Sequence, residues 1–195
     1  MKNFVERISA FILFVLTLPL VIIAVIFIKA TSKGPAFFLQ ERVGLRNRRF
    51  KQYKLRTMIQ DADEKKKDLL HLNEQEGAAF KISNDPRVTK IGKILRKFSI
   101  DELPQLINVL KGEMNLIGPR PPIPSEVENY ELHYYRRFSF KPGITGLWQI
   151  SGRNKIKNFE DWVKLDLEYI DNWSLTQDLI IALKTIPVIL KGSGK

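Results

Sequence analysis

Apolar residues crowd the start of the chain and become periodic after it. Residues 8–28 carry no charged side chain and are dominated by Ile, Leu, Val and Phe. Roughly twenty such residues suffice to cross a bilayer core of about 30 Å, and the run is too long for a cleavable signal. The pattern predicts a membrane segment over residues 1–33. Pro19 lies near its middle, where a missing backbone donor bends a helix and leaves two arms of about ten residues, each half the core thickness.

Further along, short alternating stretches predict strands at 36–40 and 50–55. Residues 59–76, rich in Lys, Asp and Glu, read as a solvated helix followed by a mobile loop. Apolar residues at Ile91, Ile94, Leu95 and Phe98 recur at helical spacing over 88–98, with Lys90, Lys93 and Lys97 on the other face. That face suits an anionic phospholipid surface. A helix over 102–111 ends at Gly112, and a proline-rich loop covers 118–124. Helices are predicted at 125–137, 158–171 and 174–190, with Pro187 ending or kinking the last. The fold class is mainly α with a few short strands, and residues 34–195 form one compact domain seated on the membrane.

Charge changes the picture. The net charge of +11 implies an anionic partner. A nucleic-acid groove is a poor fit beside a membrane anchor, which leaves anionic lipid or a phosphorylated substrate. Basic residues flank both ends of the apolar segment: Lys2 and Arg7 before it, Lys29 and Lys33 after it, then seven between Arg42 and Arg56 with no acid among them. The bias of Lys and Arg toward the cytoplasm would put both ends on that side. On the residues alone, a kinked span and a segment that enters and leaves by one face both remain open. The chain has no cysteine and two distant histidines, His71 and His133, which excludes thiolate metal sites and argues against a histidine-based centre.

The candidate chemistry centres on Asp101 and Glu102, in the run Ser99-Ile100-Asp101-Glu102-Leu103-Pro104. Pro104 suits the first turn of a helix, whose free N–H groups and dipole would favour ionised carboxylates. The pair can cap that helix, with Asp101 as cap or Ser99 and Glu102 as a capping box. It can equally supply a nucleophile and ligands for magnesium. In Gly118-Pro119-Arg120-Pro121, flanking prolines would fix where the Arg120 guanidinium points, and its planar fork matches phosphate. Lys54 and Arg56 share a side of an alternating strand and could face a phosphate. In the glycine-rich run 141–154, Thr145, Gln149 and Arg153 are candidate donors, and Trp148 reads as core rather than as a stacking platform.

Together these blocks resemble the monotopic bacterial phosphoglycosyl transferases, the polyprenyl-phosphate sugar-1-phosphate transferases. The resemblance rests on the apolar segment with its central proline and on the run from Phe37 to Gly44. It continues through Tyr53-Lys54-Leu55-Arg56-Thr57-Met58, the Asp101–Glu102 block, Asn108-Val109-Leu110-Lys111-Gly112, Ile117-Gly118-Pro119-Arg120-Pro121 and Pro142-Gly143-Ile144-Thr145-Gly146. It implies transfer of a sugar-1-phosphate from a UDP-sugar to undecaprenyl phosphate, with UMP released, as the first membrane step of capsule, exopolysaccharide or O-antigen synthesis. It further implies a catalytic domain on the cytoplasmic face of the inner membrane, a re-entrant helix–break–helix at Pro19, and a magnesium requirement. Asp101 matches the nucleophile that forms a covalent phosphosugar intermediate, Glu102 the adjacent acid at the metal, and Arg96 and Arg120 basic positions near the phosphates. The insertion over 59–83 and the 148–154 run resemble members that transfer glucose or galactose. A homo-oligomer is compatible with the chain. The family often opens Lys-Arg-x-x-Asp and breaks at Ser-Pro, where this chain has Glu6 and Leu18-Pro19. An inert membrane scaffold and a lipid-phosphate hydrolase are the competing classes.

Overall fold

The computed structural model describes residues 2–74, 80, 82–152, 156 and 158–192. The first helix, α1, runs unbroken over Lys2–Thr31 with Pro19 inside it. One stripe of α1 packs inward at helical spacing. Ala10 and Phe14 meet Leu106, Val109 and Met114, while Val21, Ala24 and Ile28 meet Leu55 and Leu95. The opposite face, including Phe11, Val15, Leu16, Ile22 and Ile26, is exposed. Both ends are tied to the domain by polar groups. At the start, Lys2 Nζ donates to Asp178 Oδ2 at 2.7 Å and to the Tyr169 hydroxyl at 2.9 Å, and Glu6 accepts from the Leu116 amide. At the far end, Arg56 donates to the carbonyl oxygens of Ser32 and Lys33.

Strands β1 (Phe37–Val43) and β2 (Arg49–Leu55) form an antiparallel pair closed by a 3₁₀ turn at Leu45–Asn47. Phe38 lies opposite Lys54 and Gln40 opposite Gln52. Alternation therefore sets Gln40, Arg42, Gln52 and Lys54 on one face. The helix expected over 59–76 is instead a 3₁₀ run at Glu64–Leu72. Leu70 and Leu72 stay exposed, so no buried apolar face selects the α form there. The mobile loop expected after it falls largely on residues outside the described set.

Helix α2 (Lys90–Lys97) is capped by the Thr89 side chain, which accepts from the Gly92 amide at 3.0 Å. Its expected apolar face divides: Leu95 is buried and Ile91 packs beside it, whereas Ile94 and Phe98 are exposed. A 3₁₀ turn over Ile100–Gln105 leads into α3 (Leu106–Lys111), which ends at Gly112 in the left-handed region, φ 80°. Strand β3 (Asn115–Ile117) pairs in parallel with β4 (Gly143–Thr145). Between them lie α4 (Pro124–Val127) and a 3₁₀ run at Leu132–Ser139, in place of the single helix expected over 125–137. The Asn129 amide turns back onto the Ser125 carbonyl and competes with helix continuation.

Three helices close the chain: α5 (Leu147–Ile150), α6 (Phe159–Asp171) and α7 (Leu175–Leu190). Pro187 sits within α7 without ending it. Trp148 and Trp162 stack at 4.6 Å between centroids in a core with Tyr134, Phe159 and Val163. Among the described residues the domain is mostly helical, with two short two-stranded sheets.

Candidate functional site

A cleft of about 630 Å³ opens beside the exposed face of β1 and α2, and Asp101 and Glu102 lie within it. The pair rests on a rigid base. Gln105, one turn beyond, accepts from Gln52 Nε2 at 3.0 Å. Asn108, fully buried, accepts from the Tyr53 amide and donates to Lys51 O and Glu113. These bonds fasten the acid-bearing turn to β2.

The expected caps do not form. Ser99 adopts the left-handed region, φ 54°, and makes no side-chain capping bond, while Asp101 lies inside the 3₁₀ turn. The expected effect of a helix terminus on the Asp101 pKa is also corrected. Burial pushes its carboxyl up to about 6, with the Glu102 charge adding to the effect, while Lys54 and Arg96 pull it back. A short 3₁₀ turn offers little dipole, and Asp101 is only 7 % exposed, so desolvation wins.

Four predicted cations share the cleft with the acids. Lys54 Nζ donates to Glu102 Oε1 at 3.1 Å, and burial lowers its pKa, partly offset by that carboxylate. Arg96 Nε donates to Thr57 Oγ1 at 2.9 Å. Burial lowers the Arg96 pKa, with Asp101 acting against that fall. Arg120 lies over the Trp148 and Trp162 rings, 5.7 and 6.0 Å from their centroids. Arg56 borders the cleft, but its guanidinium is committed to Ser32 and Lys33. The strand ends at Leu55, so the alternation linking Lys54 and Arg56 stops between them.

The other donors scatter. Gln149 faces a small recess of about 20 Å³ behind Glu102. The Thr145 hydroxyl pairs with that of Thr185 at 2.9 Å, against α7 rather than the cleft. Arg153 lies outside the described residues. Trp148 is core, 3 % exposed, with one edge on the cleft.

Sequence reasoning missed Arg42 and the Asp85–Arg87 pair. Arg42 is buried, donates to Pro121 O at 2.9 Å and Gln40 Oε1 at 2.7 Å, and has its pKa lowered to about 10 by burial and by Arg120. Alternation along β1, matched to Lys54 across the pair, was the signal for it. Asp85 and Arg87 form a buried ion pair at 2.6 Å on the cleft wall, in a loop with no periodic pattern.

Among the described residues no group of three or more His, Cys, Asp or Glu could hold a metal. The adjacent carboxylates Asp101 and Glu102 nonetheless fit magnesium, which takes one or two carboxylates and fills its shell with water and substrate phosphate. Two acids beside several cations are an arrangement that can accept a phosphorylated molecule, with a carboxylate chemically able to attack phosphorus.

The family model described as bacterial sugar transferase matches residues 1–192. The galactosyl transferase CpsE of Streptococcus agalactiae is 57 % identical over 83 % of this chain and 36 % of its own length. The exopolysaccharide production protein ExoY of Rhizobium meliloti is 39 % identical over 99 % of this chain and 87 % of its own. The undecaprenyl-phosphate galactose phosphotransferase of Salmonella typhimurium is 45 % identical over 83 % of this chain and 34 % of its own. The chain thus spans about a third of the streptococcal and Salmonella relatives and most of the rhizobial one. With a matching family model along nearly its whole length and a relative of similar size, the chain belongs to the bacterial sugar transferase family.

Proposed function

We propose that this chain transfers a sugar-1-phosphate from a UDP-sugar to undecaprenyl phosphate, the first membrane step in building a surface polysaccharide. The observation that carries the reading is buried Asp101 and half-buried Glu102 in one cleft with Lys54, Arg96 and Arg120. In the first step, a carboxylate oxygen of Asp101 attacks the phosphorus next to the sugar. The bond from that phosphorus to the bridging oxygen breaks, UMP leaves, and an acyl phosphate to the sugar remains on Asp101. In the second step, a phosphate oxygen of the lipid attacks the same phosphorus and the Asp101 carboxylate departs. Atoms and charge balance without an added proton donor.

Arg96 and Arg120 offset the charge of the diphosphate, which would otherwise repel the nucleophile. Lys54 holds Glu102 in place. Asp101 and Glu102 would hold magnesium, which when bound would supply further neutralisation of the phosphate charge. Of the two hexoses, galactose is favoured because the streptococcal, Salmonella and Erwinia amylovora relatives carry galactosyl or galactose names.

We read α1 as a re-entrant segment at the cytoplasmic face of the inner membrane. Thirty helical residues would extend about 45 Å if straight, longer than a bilayer core of about 30 Å, and Pro19 is the point at which such a helix can bend. Lys2 at one end and the loop after Thr31 at the other both bind the same domain. A segment crossing the membrane would leave one of these polar ends without its partners. Exposed Ile94, Leu179, Leu183 and Leu190 extend the apolar surface beyond α1.

The test is the full chain in nanodiscs with undecaprenyl phosphate, magnesium and a panel of UDP-sugars. UMP release and lipid-linked sugar are expected from UDP-galactose, and Asp101→Asn should abolish both. Product formation surviving that substitution would overturn the nucleophile. Phosphate release without any UDP-sugar would favour a hydrolase.

A further inference from the structure

The turn that carries Arg120 has an unusual holding problem. Pro119, Pro121 and Pro122 have no N–H, so this turn must be fixed through its carbonyl groups. Each of four successive carbonyls has a partner. Pro119 O accepts from the Gly143 amide at 2.9 Å and Pro122 O from the Val43 amide at 2.9 Å. Pro121 O accepts from Arg42 Nη1 at 2.9 Å, and Arg120 O from Arg137 Nη2 at 2.8 Å. Strands hold the flanks, and a buried side chain holds the peptide of Arg120 itself.

Arg137 is built for that task. It is 3 % exposed and lies against Asp166, which accepts from its Nε at 3.0 Å and its Nη2 at 2.7 Å. Its remaining nitrogen donates to the Tyr130 hydroxyl. Burial works against its charge, but Asp166, Tyr130 and Glu126 together more than offset it and keep the pKa raised. Burial raises the Asp166 carboxyl to about 6, with Arg137 and the backbone amide of Arg120 pulling it back. Asp166 stands one turn beyond Trp162 on the same face of α6, and Trp162 forms part of the surface under the Arg120 guanidinium. One helix thus governs both the backbone and the side chain of Arg120.

A buried ion pair is a costly way to fill a core, since apolar residues of equal volume commonly serve stability as well or better. We propose that Arg137 and Asp166 are positioning residues that aim Arg120 at the phosphates of the UDP-sugar. This rests on the phosphate role proposed above for Arg120. Lysine at 137 would keep the charge but not the planar fork that reaches Asp166, Tyr130 and the Arg120 carbonyl together.

The experiment is a double-mutant cycle on the full chain in nanodiscs. Arg137→Lys is expected to raise KM for UDP-galactose about tenfold or more, since small misplacements of a binding group are expensive. In an Arg120→Ala background the same change should cost less than about twofold, because the group being aimed is gone. Equal losses in both backgrounds would overturn the proposal and leave a purely structural pair. Tryptophan emission gives a second readout that needs no turnover. Arg137→Lys should shift it in the direction that Arg120→Ala does, as the cation leaves the Trp148 and Trp162 rings, and an unchanged spectrum counts against the clamp. If the wild type acts on no UDP-sugar, the reaction assigned above fails, and the emission test still decides the clamp. Should Arg137→Lys not fold, the apolar pair Arg137→Met with Asp166→Leu takes its place, expected to fold but to show the same losses. Failure of both to fold would assign the pair to stability alone and overturn the proposal.

Discussion

Replacing Gly92 by alanine adds one methyl group at a place with no room for it. Gly92 lies in the first turn of α2, and a Cβ there would overlap the Thr57 carbonyl oxygen and stand 2.8 Å from its carbon. Carbon atoms pack comfortably at about 3.5 Å, so α2 would have to retreat by on the order of 1 Å. Two opposing effects set the outcome. Alanine improves helix propensity by about 1 kcal/mol, while overpacking against backbone costs about 1–3 kcal/mol or more. With the obstacle a carbonyl rather than a pliable side chain, a net loss of about 2 kcal/mol is expected. For a chain of this size that lowers Tm by roughly 4–8 °C. The larger consequence is at the site. Thr57 accepts from Arg96 and, through its carbonyl, from the Thr89 amide at 3.0 Å, so a retreating α2 drags Arg96 from the acids. A misplacement of about 1 Å can cost a hundredfold in turnover. UMP release and thermal unfolding of the variant in nanodiscs measure both effects. A Tm that rises, with turnover within twofold of wild type, would refute the reasoning.

Lys54→Gln should lower UMP release at least tenfold, because Glu102 then keeps a partly buried charge without this partner; a variant as active as wild type would remove Lys54 from the site. Asp85 is a pH probe. Burial alone would raise its pKa, but the hydrogen bonds and charge of Arg87 outweigh it and hold the carboxyl below its ordinary value. A depressed pKa contributes stability above the unfolded value near 3.8, lost as pH falls through the folded one. Asp85→Asn should therefore lower Tm clearly at pH 7 and much less at pH 3, and an equal drop at both would contradict the pairing. Ile94→Glu, on the exposed face of α2, should lower the protection of α2 amides from hydrogen exchange in anionic nanodiscs without lowering Tm; unchanged protection would take α2 off the membrane surface.

Much of this arrangement could be read from short stretches of sequence. Gly112 ends α3 where a left-handed residue is needed, and the periodic apolar residues of 158–171 and 174–190 give α6 and α7. The acids at 101 and 102 were visible because Pro104 marks a helical turn. What was hidden depends on partners distant in sequence. Nothing near Arg137 or Asp166 points to a carbonyl at position 120, and three-residue strands such as β3 and β4 are too short for a period. Arg56 and Thr145 show the opposite error. Their chemistry suits phosphate, but the ends of β2 and β4 turn them toward the loop after α1 and toward α7. Asp101 was misjudged because a dipole argument needs only local sequence, whereas burial is a property of the whole fold.

Lys2 reaches Asp178 across 176 positions of chain and Tyr169 across 167. At a synthesis rate of about 5–20 residues per second, that acceptor leaves the ribosome roughly 10–35 s after its donor. During this interval α1 is complete but Lys2 lacks Asp178, its distant acid partner. Helix α1 therefore takes its final seat only when α7 arrives. Contacts of such long range fold slowly, and a chain stopped before Asp178 would keep its apolar helix while losing the residue that locks it in register.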